Sequence, residues 1–275
     1  MNYQHNYHAG NFADVLKHAV LTLIIQSLSK KETPFCYLET HAGAGCYDLI
    51  DEKSQKTGEY LQGIDKLFKE IIYPSCVKPY MKLIKALNPS ILETYPGSPY
   101  IAQQLMRKQD HLILCELHAD THQMLRRCLR GDKRIAIHKQ DGYLGLKAFL
   151  PPKERRGLVF IDPPFEKSDE FRDLVDYLST AVKRFSNGIY AIWYPIKDQR
   201  VVQHFYSRLK KLNIPTLQIE LSIHDHKIPL GLSACGMVIL NPPWQLDKTC
   251  SELLPWLWKA LSPEGKGYYK VLLSS

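Results

Sequence analysis

Residues 157–165 read Gly-Leu-Val-Phe-Ile-Asp-Pro-Pro-Phe, a short apolar run that ends in a stiff, chemically equipped loop. Asp162 offers a carboxylate acceptor. The two prolines fix φ and carry no backbone donor, so the carbonyl of Pro163 can face outward as a second acceptor. Phe165 offers a flat π surface. An exocyclic amino group on a planar ring needs this set: two acceptors for its two N–H groups and a face to stack on. A proline-stiffened strand end with a buried phenylalanine would carry the same residues, so the weight falls on what lies upstream.

Upstream, the apolar run 34–38 leads into Glu39-Thr-His41-Ala-Gly43-Ala-Gly45, whose glycines let a backbone approach a ligand closely. The third glycine of the dinucleotide fingerprint is missing, and no P-loop Lys-Ser/Thr follows. Glu116 ends the next apolar run and is placed to take both hydroxyls of a ribose. Asp141-Gly142 ends the third and adds a place for an adenine edge. A ribose clamp, an adenine slot and no phosphate site fit S-adenosylmethionine, whose cationic sulfonium a carboxylate such as Asp162 would favour.

The elements that must position these groups alternate. Apolar positions at Phe12, Val15, Leu16, Ala19, Val20, Leu23, Ile24 and Leu28 have a helical period. Strand-like runs occupy 34–38, 111–116, 134–139 and 157–161, and three more lie at 188–194, 216–223 and 235–240. Strands alternating with helices predict an α/β, Rossmann-like, doubly wound and mostly parallel sheet with its ligands at the strand carboxyl ends. The long stretch between the first two strands predicts a small inserted helical subdomain at 48–97, with 1–47 and 98–275 forming the main domain. In Tyr95-Pro-Gly-Ser98-Pro99, Ser98 suits a helix N-cap and Pro99 the first helical position.

Composition bounds the partners. The 275 residues carry a formal charge of +8, which favours a polyanion such as nucleic acid, with clusters at 126–134, 153–156 and 183–184. Seven scattered cysteines form no C-x-x-C pair, so neither a zinc ribbon nor a disulfide framework is expected. His118 and His122 are spaced i, i+4 but find no third ligand in the sequence, and no metal is expected. With no signal-peptide core and no apolar stretch approaching membrane length, the expectation is a cytoplasmic protein without a membrane or an obligate protein partner.

The N-terminal stretch Tyr3-Gln-His-Asn-Tyr-His-Ala-Gly-Asn-Phe-Ala-Asp-Val-Leu-Lys17-His18 has a composition that packing does not require. Together with Thr40-His41-Ala-Gly-Ala-Gly45, Thr57-Gly-Glu-Tyr60, Tyr95-Pro-Gly-Ser-Pro99 and Asp162-Pro-Pro-Phe165, it closely resembles the J-type 23S ribosomal RNA adenine-N6 methyltransferases. The resemblance runs from about residue 3 to beyond Asn241-Pro-Pro-Trp244. It implies cofactor contacts from His18, His41, Ser98, Glu116, Asp141, Gly142 and the catalytic Asp162, and roles for Tyr3 and Lys17 with the RNA substrate and in catalysis. It also implies 23S RNA taken before full ribosome assembly. Members usually carry Asp-Pro-Pro-Tyr, whereas this chain has Phe165 and lacks the phenol hydroxyl. Asn241-Pro-Pro-Trp244 mimics the catalytic loop but lies past the sixth strand, whereas the catalytic loop should follow the fourth, and it reads as structural at the far edge of the sheet. A DNA adenine methyltransferase would share the Asp162 loop, a glutamine-amide methyltransferase usually has Asn there, and a noncatalytic RNA-binding protein could use the same scaffold.

Overall fold

The computed structural model describes residues 4–167, 169–224 and 232–274. In chain order the helices are α1 (Phe12–Ser29), α2 (Glu52–Thr57), α3 (Ile64–Phe68), α4 (Lys78–Leu87), α5 (Ser98–Leu105), α6 (Ala119–Cys128), α7 (Gly142–Phe149), α8 (Glu170–Arg184), α9 (Gln199–Lys210) and α10 (Leu246–Leu261). The strands are β1 (Cys36–Glu39), β2 (Cys46–Asp48), β3 (Thr94–Pro96), β4 (His111–Cys115), β5 (Ile135–His138), β6 (Gly157–Ile161), β7 (Ile189–Pro195), β8 (Thr216–Ser222), β9 (Ala234–Leu240) and β10 (Tyr268–Ser274).

Eight strands form one sheet in the order β10-β8-β9-β7-β6-β1-β4-β5. From β5 to β7 every pairing is parallel, with Cys36 of β1 opposite both His111 of β4 and Gly157 of β6. β9 then runs antiparallel to both β7 and β8, and β10 antiparallel to β8. All four residues of β1 and all five of β6 are buried, as central strands covered on both faces should be. Their carboxyl ends, with those of β4 and β5, open on one edge of the sheet.

One face is covered by α1, which packs against α4, α5 and α10, and the other by α7, α8 and α9. The segment 48–97 contributes Leu49, Ile64, Leu67, Tyr80 and Ile84 to the same apolar cluster as α1. β2 and β3, at the two ends of that segment, pair as a short antiparallel ribbon.

Three details differ from the sequence reading. α1 is long and apolar enough to cross a membrane by length and composition, but 83% of its 18-residue window is buried inside the protein. A helix buried on nearly every side needs no polar face, which removes the usual amphipathic signal. β2, β3 and β10 have no counterpart in the sequence reading: the first two are three residues each, and β10 lies at the sheet edge, half-exposed and without a clean alternation. Ser98 is not an N-cap: Gly97 holds that position, and the serine hydroxyl is used elsewhere.

Candidate active site

β6 delivers Asp162 to the carboxyl edge with its side chain 17% exposed. The loop then turns sharply, since Phe165 has φ +48°, a conformation that a bulky residue adopts only where its surroundings hold it. Its ring supplies that hold, lying 4.7 Å from Phe171 and edge-on to Trp193 at 5.9 Å.

The partner of Asp162 comes from the opposite end of the sequence. Lys17 on α1 reaches Oδ2 of Asp162 at 2.6 Å and Oδ1 of Asp14 at 2.7 Å, and its ammonium lies 5.8 Å from the Trp193 ring centre. The second oxygen of Asp14 meets His5 Nε2 and accepts from the Gly10 backbone N–H, both at 2.9 Å. Burial works against the Lys17 charge, but the carboxylates of Asp14 and Asp162 outweigh it and hold the lysine well above its ordinary pKa. Burial likewise opposes the Asp14 carboxylate, and His5 and Lys17 outweigh it, so Asp14 stays well below the usual range. Lys17 is therefore a fixed cation, able to donate and orient but not to accept a proton.

β1 brings the second group of residues. The buried Glu39 accepts hydrogen bonds from the Ser98 hydroxyl and, at 2.9 Å, from Tyr37. Burial pushes its pKa up to about 8, against the bonds from Ser98 and Tyr37, with Asp162 adding a like charge nearby. His41 has its Nδ1 on the Thr40 hydroxyl at 2.8 Å and meets Tyr143 edge-on at 5.4 Å. Its ring lies deep among protein atoms with part of its surface open, and burial takes its pKa down to about 4. Gly43, at φ +67°, presses against Tyr47, where a Cβ would overlap the hydroxyl.

From β4, Glu116 accepts the Gly43 N–H at 2.9 Å on one oxygen and the His118 N–H at 2.8 Å on the other. This ties the β4 loop to the glycine loop of β1. Asp141 caps α7 by accepting from the backbone of Tyr143 and Leu144. Gly142 starts that helix against the Thr40 carbonyl, which any Cβ there would overlap. On α1, His18 bonds the Tyr95 hydroxyl through Nδ1 at 2.7 Å, while its buried Nε2 has no partner among the described residues. Burial, and then the neighbouring Lys17 charge, keep this histidine neutral by holding its pKa well below the usual value.

Lys17 bonds Asp162 and Ser98 bonds Glu39 at the end of β1, the charge of Asp162 acts on both Glu39 and His41, and His18 feels the charge of Lys17 beside it on α1. Tyr3 lies outside the described residues. Three participants were not singled out from the sequence: Asp14, Glu39 and His5. Asp14 stands three positions before Lys17 on one helix, a spacing that places the pair on one face and could have flagged it. His5 gives no comparable signal, since only the fold brings it to Asp14.

A family model described as ribosomal RNA large subunit methyltransferase D, RlmJ, matches residues 32–273. Proteins named ribosomal RNA large subunit methyltransferase J from Escherichia coli (strain K12) and Haemophilus influenzae (strain Rd KW20) are each 44% identical to the chain. Both alignments cover 98% of the chain and 98% of the relative. The chain belongs to this family. A crystal structure of a Legionella pneumophila protein superposes with a TM-score of 0.90 at 36% identity, covering 98% of each chain.

As a member of the RlmJ family the chain is a methyltransferase, and its methyl donor is S-adenosylmethionine. The residues present fit that donor. In the tautomer in which the Tyr95 hydroxyl donates to Nδ1, the buried Nε2 of His18 is a donor suited to a ligand carboxylate. Carboxylates at the ends of β4 and β6 suit ribose hydroxyls and a sulfonium respectively.

Proposed function

We propose that this RlmJ-family methyltransferase acts on the N6 amino group of an adenosine in 23S ribosomal RNA, in the cytoplasm and before the ribosomal subunit is fully assembled. The observation that carries the reading is the Asp162-Pro163-Pro164-Phe165 loop at the end of β6, with Lys17 fixed on one oxygen of its carboxylate.

In this reading His18, His41, Gly43, Ser98, Glu116, Asp141 and Gly142, with Asp162, line the place of the donor. The donor supplies an electrophilic methyl group on a sulfonium. The adenine amino nitrogen is a weak nucleophile, because its lone pair is delocalised into the ring. Lys17 occupies Oδ2 of Asp162, so Oδ1 takes one amino N–H and the Pro163 carbonyl takes the other. Those two acceptors return electron density to the nitrogen and fix its direction of attack, and positioning of this kind supplies much of the rate. When the nitrogen becomes cationic, its excess proton passes to Oδ1, since Lys17 is already protonated. Phe165 replaces the stacking that the unstacked adenine leaves behind, and Tyr3 and Lys17 are assigned to the RNA substrate, as the family resemblance implies.

The test is transfer of labelled methyl from S-adenosylmethionine to purified 23S RNA, duplex DNA and protein extract in parallel, followed by nucleoside analysis. N6-methyladenosine in RNA alone, lost in Asp162→Ala, is the expected result. Label in DNA or protein would overturn the substrate, and activity retained in Asp162→Ala would overturn the site.

A further inference from the structure

Asn241-Pro-Pro-Trp244 has the local form of the catalytic loop, yet topology removes it from the active site. β9 runs antiparallel to β7, with Leu240 opposite Tyr190, so its carboxyl end emerges where β7 begins. Asn241 is held there at φ +51° by its own side chain, which donates to the carbonyls of Ser186 and Gly188 at 2.8 and 2.9 Å. Its backbone N–H donates to Pro215 O. The turn is therefore rigid, and it presents Trp244 with 85% of its surface exposed. An indole held out in this way by a fixed turn contributes little to the fold that carries it.

Three neighbouring turns open on the same edge: those before β6, β7 and β8. Asn187 of one donates to the Arg155 carbonyl of another at 3.0 Å. Across residues 151–156, 183–188, 210–215 and 241–245 the only acid is Glu154, whose side chain is 4% exposed and engaged with His111. Lys153, Arg155, Lys183 and Lys211 are exposed. Lys183 ends a helix, where a cation also answers the helix dipole, but Lys153 and Arg155 lie in a loop with no such duty. An exposed indole and four exposed cations on turns that themselves carry no exposed acid are the composition of a stacking platform for single-stranded nucleic acid, with the charges meeting phosphates.

We propose that this cluster, at the sheet edge opposite Asp162, is a second RNA-contact surface, where an unpaired base of the substrate stacks on Trp244 and its flanking phosphates meet Arg155, Lys153, Lys183 and Lys211. The proposal rests on the reading that the substrate is RNA. Arg155 and Asp162 bracket β6, so the two surfaces lie roughly 20 Å apart along the strand direction, at about 3.3 Å per residue. The second surface thus binds RNA well away from the target adenosine and contributes affinity, not chemistry.

The test uses the full chain, with fluorescein-labelled oligouridylate as binding probe and deproteinised 23S RNA as substrate. Trp244→Ala should weaken oligouridylate binding about tenfold, as loss of one stacked base does, and Trp244→Phe should restore most of it. Arg155→Glu with Lys211→Glu should flatten the salt dependence of binding. Both variants should raise KM for 23S RNA with kcat unchanged. Unchanged probe affinity and KM in Trp244→Ala, with the wild-type protein methylating RNA, would overturn the surface. Failure of the wild-type protein to methylate any RNA would instead overturn the substrate reading on which the surface rests.

Discussion

Lys17 and Asp162 stand 145 positions apart and meet at 2.6 Å, closing the site between the first helix and the fourth parallel strand in chain order. The same ammonium also holds Asp14, so one buried cation serves two carboxylates. Such an arrangement is asymmetric. Removing Asp162 leaves Lys17 with a partner, whereas removing Lys17 leaves two carboxylates without their shared cation.

That asymmetry separates stability from activity. Lys17→Met is expected to cost about 3–5 kcal/mol, the usual range when a buried pair loses one member, and to lower Tm by roughly 10 °C. Asp162→Ala should change Tm far less and abolish methyl transfer. Thermal melts beside a methyl-transfer assay check both, and equal loss of stability in the two variants would contradict the shared-cation arrangement.

Phe165 makes a narrower prediction. Its ring is braced by Phe171 and Trp193 at the mouth of the loop, so Phe165→Ala removes a stacking surface worth about 1–3 kcal/mol per base. Turnover on RNA should fall about tenfold or more, with S-adenosylmethionine affinity little changed. Phe165→Tyr keeps the ring and adds only a hydroxyl, and should retain at least the wild-type rate. A rate for Phe165→Ala equal to that of wild type would remove Phe165 from the substrate site.

Much of this was legible in the sequence for a physical reason. The parallel strands of a doubly wound sheet announce themselves as short apolar runs, and ligands of such sheets lie at the carboxyl ends, so the candidates Gly43, Glu116, Asp141 and Asp162 follow from counting strands. His18 and Lys17 do not follow from pattern alone, because α1 is buried along nearly its whole length and its polar residues have no distinguishing face. The motif resemblance supplied them. Ser98 was legible as polar and well placed, but its bond to Glu39 joins residues 59 positions apart and only the fold makes that contact. Asn241-Pro-Pro-Trp244 shows the converse: local form repeats the catalytic loop, and only the reversed direction of β9 sends it to the far edge.

Glu39 should make stability depend on pH with a definite sign. Burial raises its pKa from about 4.5 to about 8, so the folded protein keeps a proton that the unfolded chain releases. Its contribution is fully present below about pH 4.5 and is lost as pH rises through 8, with a slope of up to about 1.4 kcal/mol per pH unit. Urea midpoints for wild type and Glu39→Gln, taken across that window, should diverge in favour of the variant as pH rises. Parallel curves would mean that Glu39 ionises in the folded protein as freely as in the unfolded one.

His41 has the opposite sign. Burial lowers its pKa from 6.5 to about 4, so its contribution is present above 6.5 and is lost as pH falls toward 4. His41→Asn should flatten the acid side of the stability curve and leave the alkaline side to Glu39. Fluorescence-monitored melts over both limbs check it; an unchanged acid limb in the variant would show that other groups control it.

Asp14 offers the last prediction, because it touches Lys17 and not Asp162. Asp14→Asn keeps an acceptor for the ammonium but removes the charge that balances it, so Lys17 shifts its weight to Asp162 and draws that carboxylate from its place. A displacement of about 1 Å at a reacting group costs on the order of a hundredfold in rate. The expected result is a fall in kcat of about tenfold or more, with KM for RNA and S-adenosylmethionine affinity within about twofold of wild type. Asp14→Leu, which offers no acceptor at all, should lose activity and stability together. If Asp14→Asn instead raised KM at unchanged kcat, Asp14 would be holding the N-terminal segment against RNA through His5 and Gly10, and not orienting the catalytic carboxylate through Lys17.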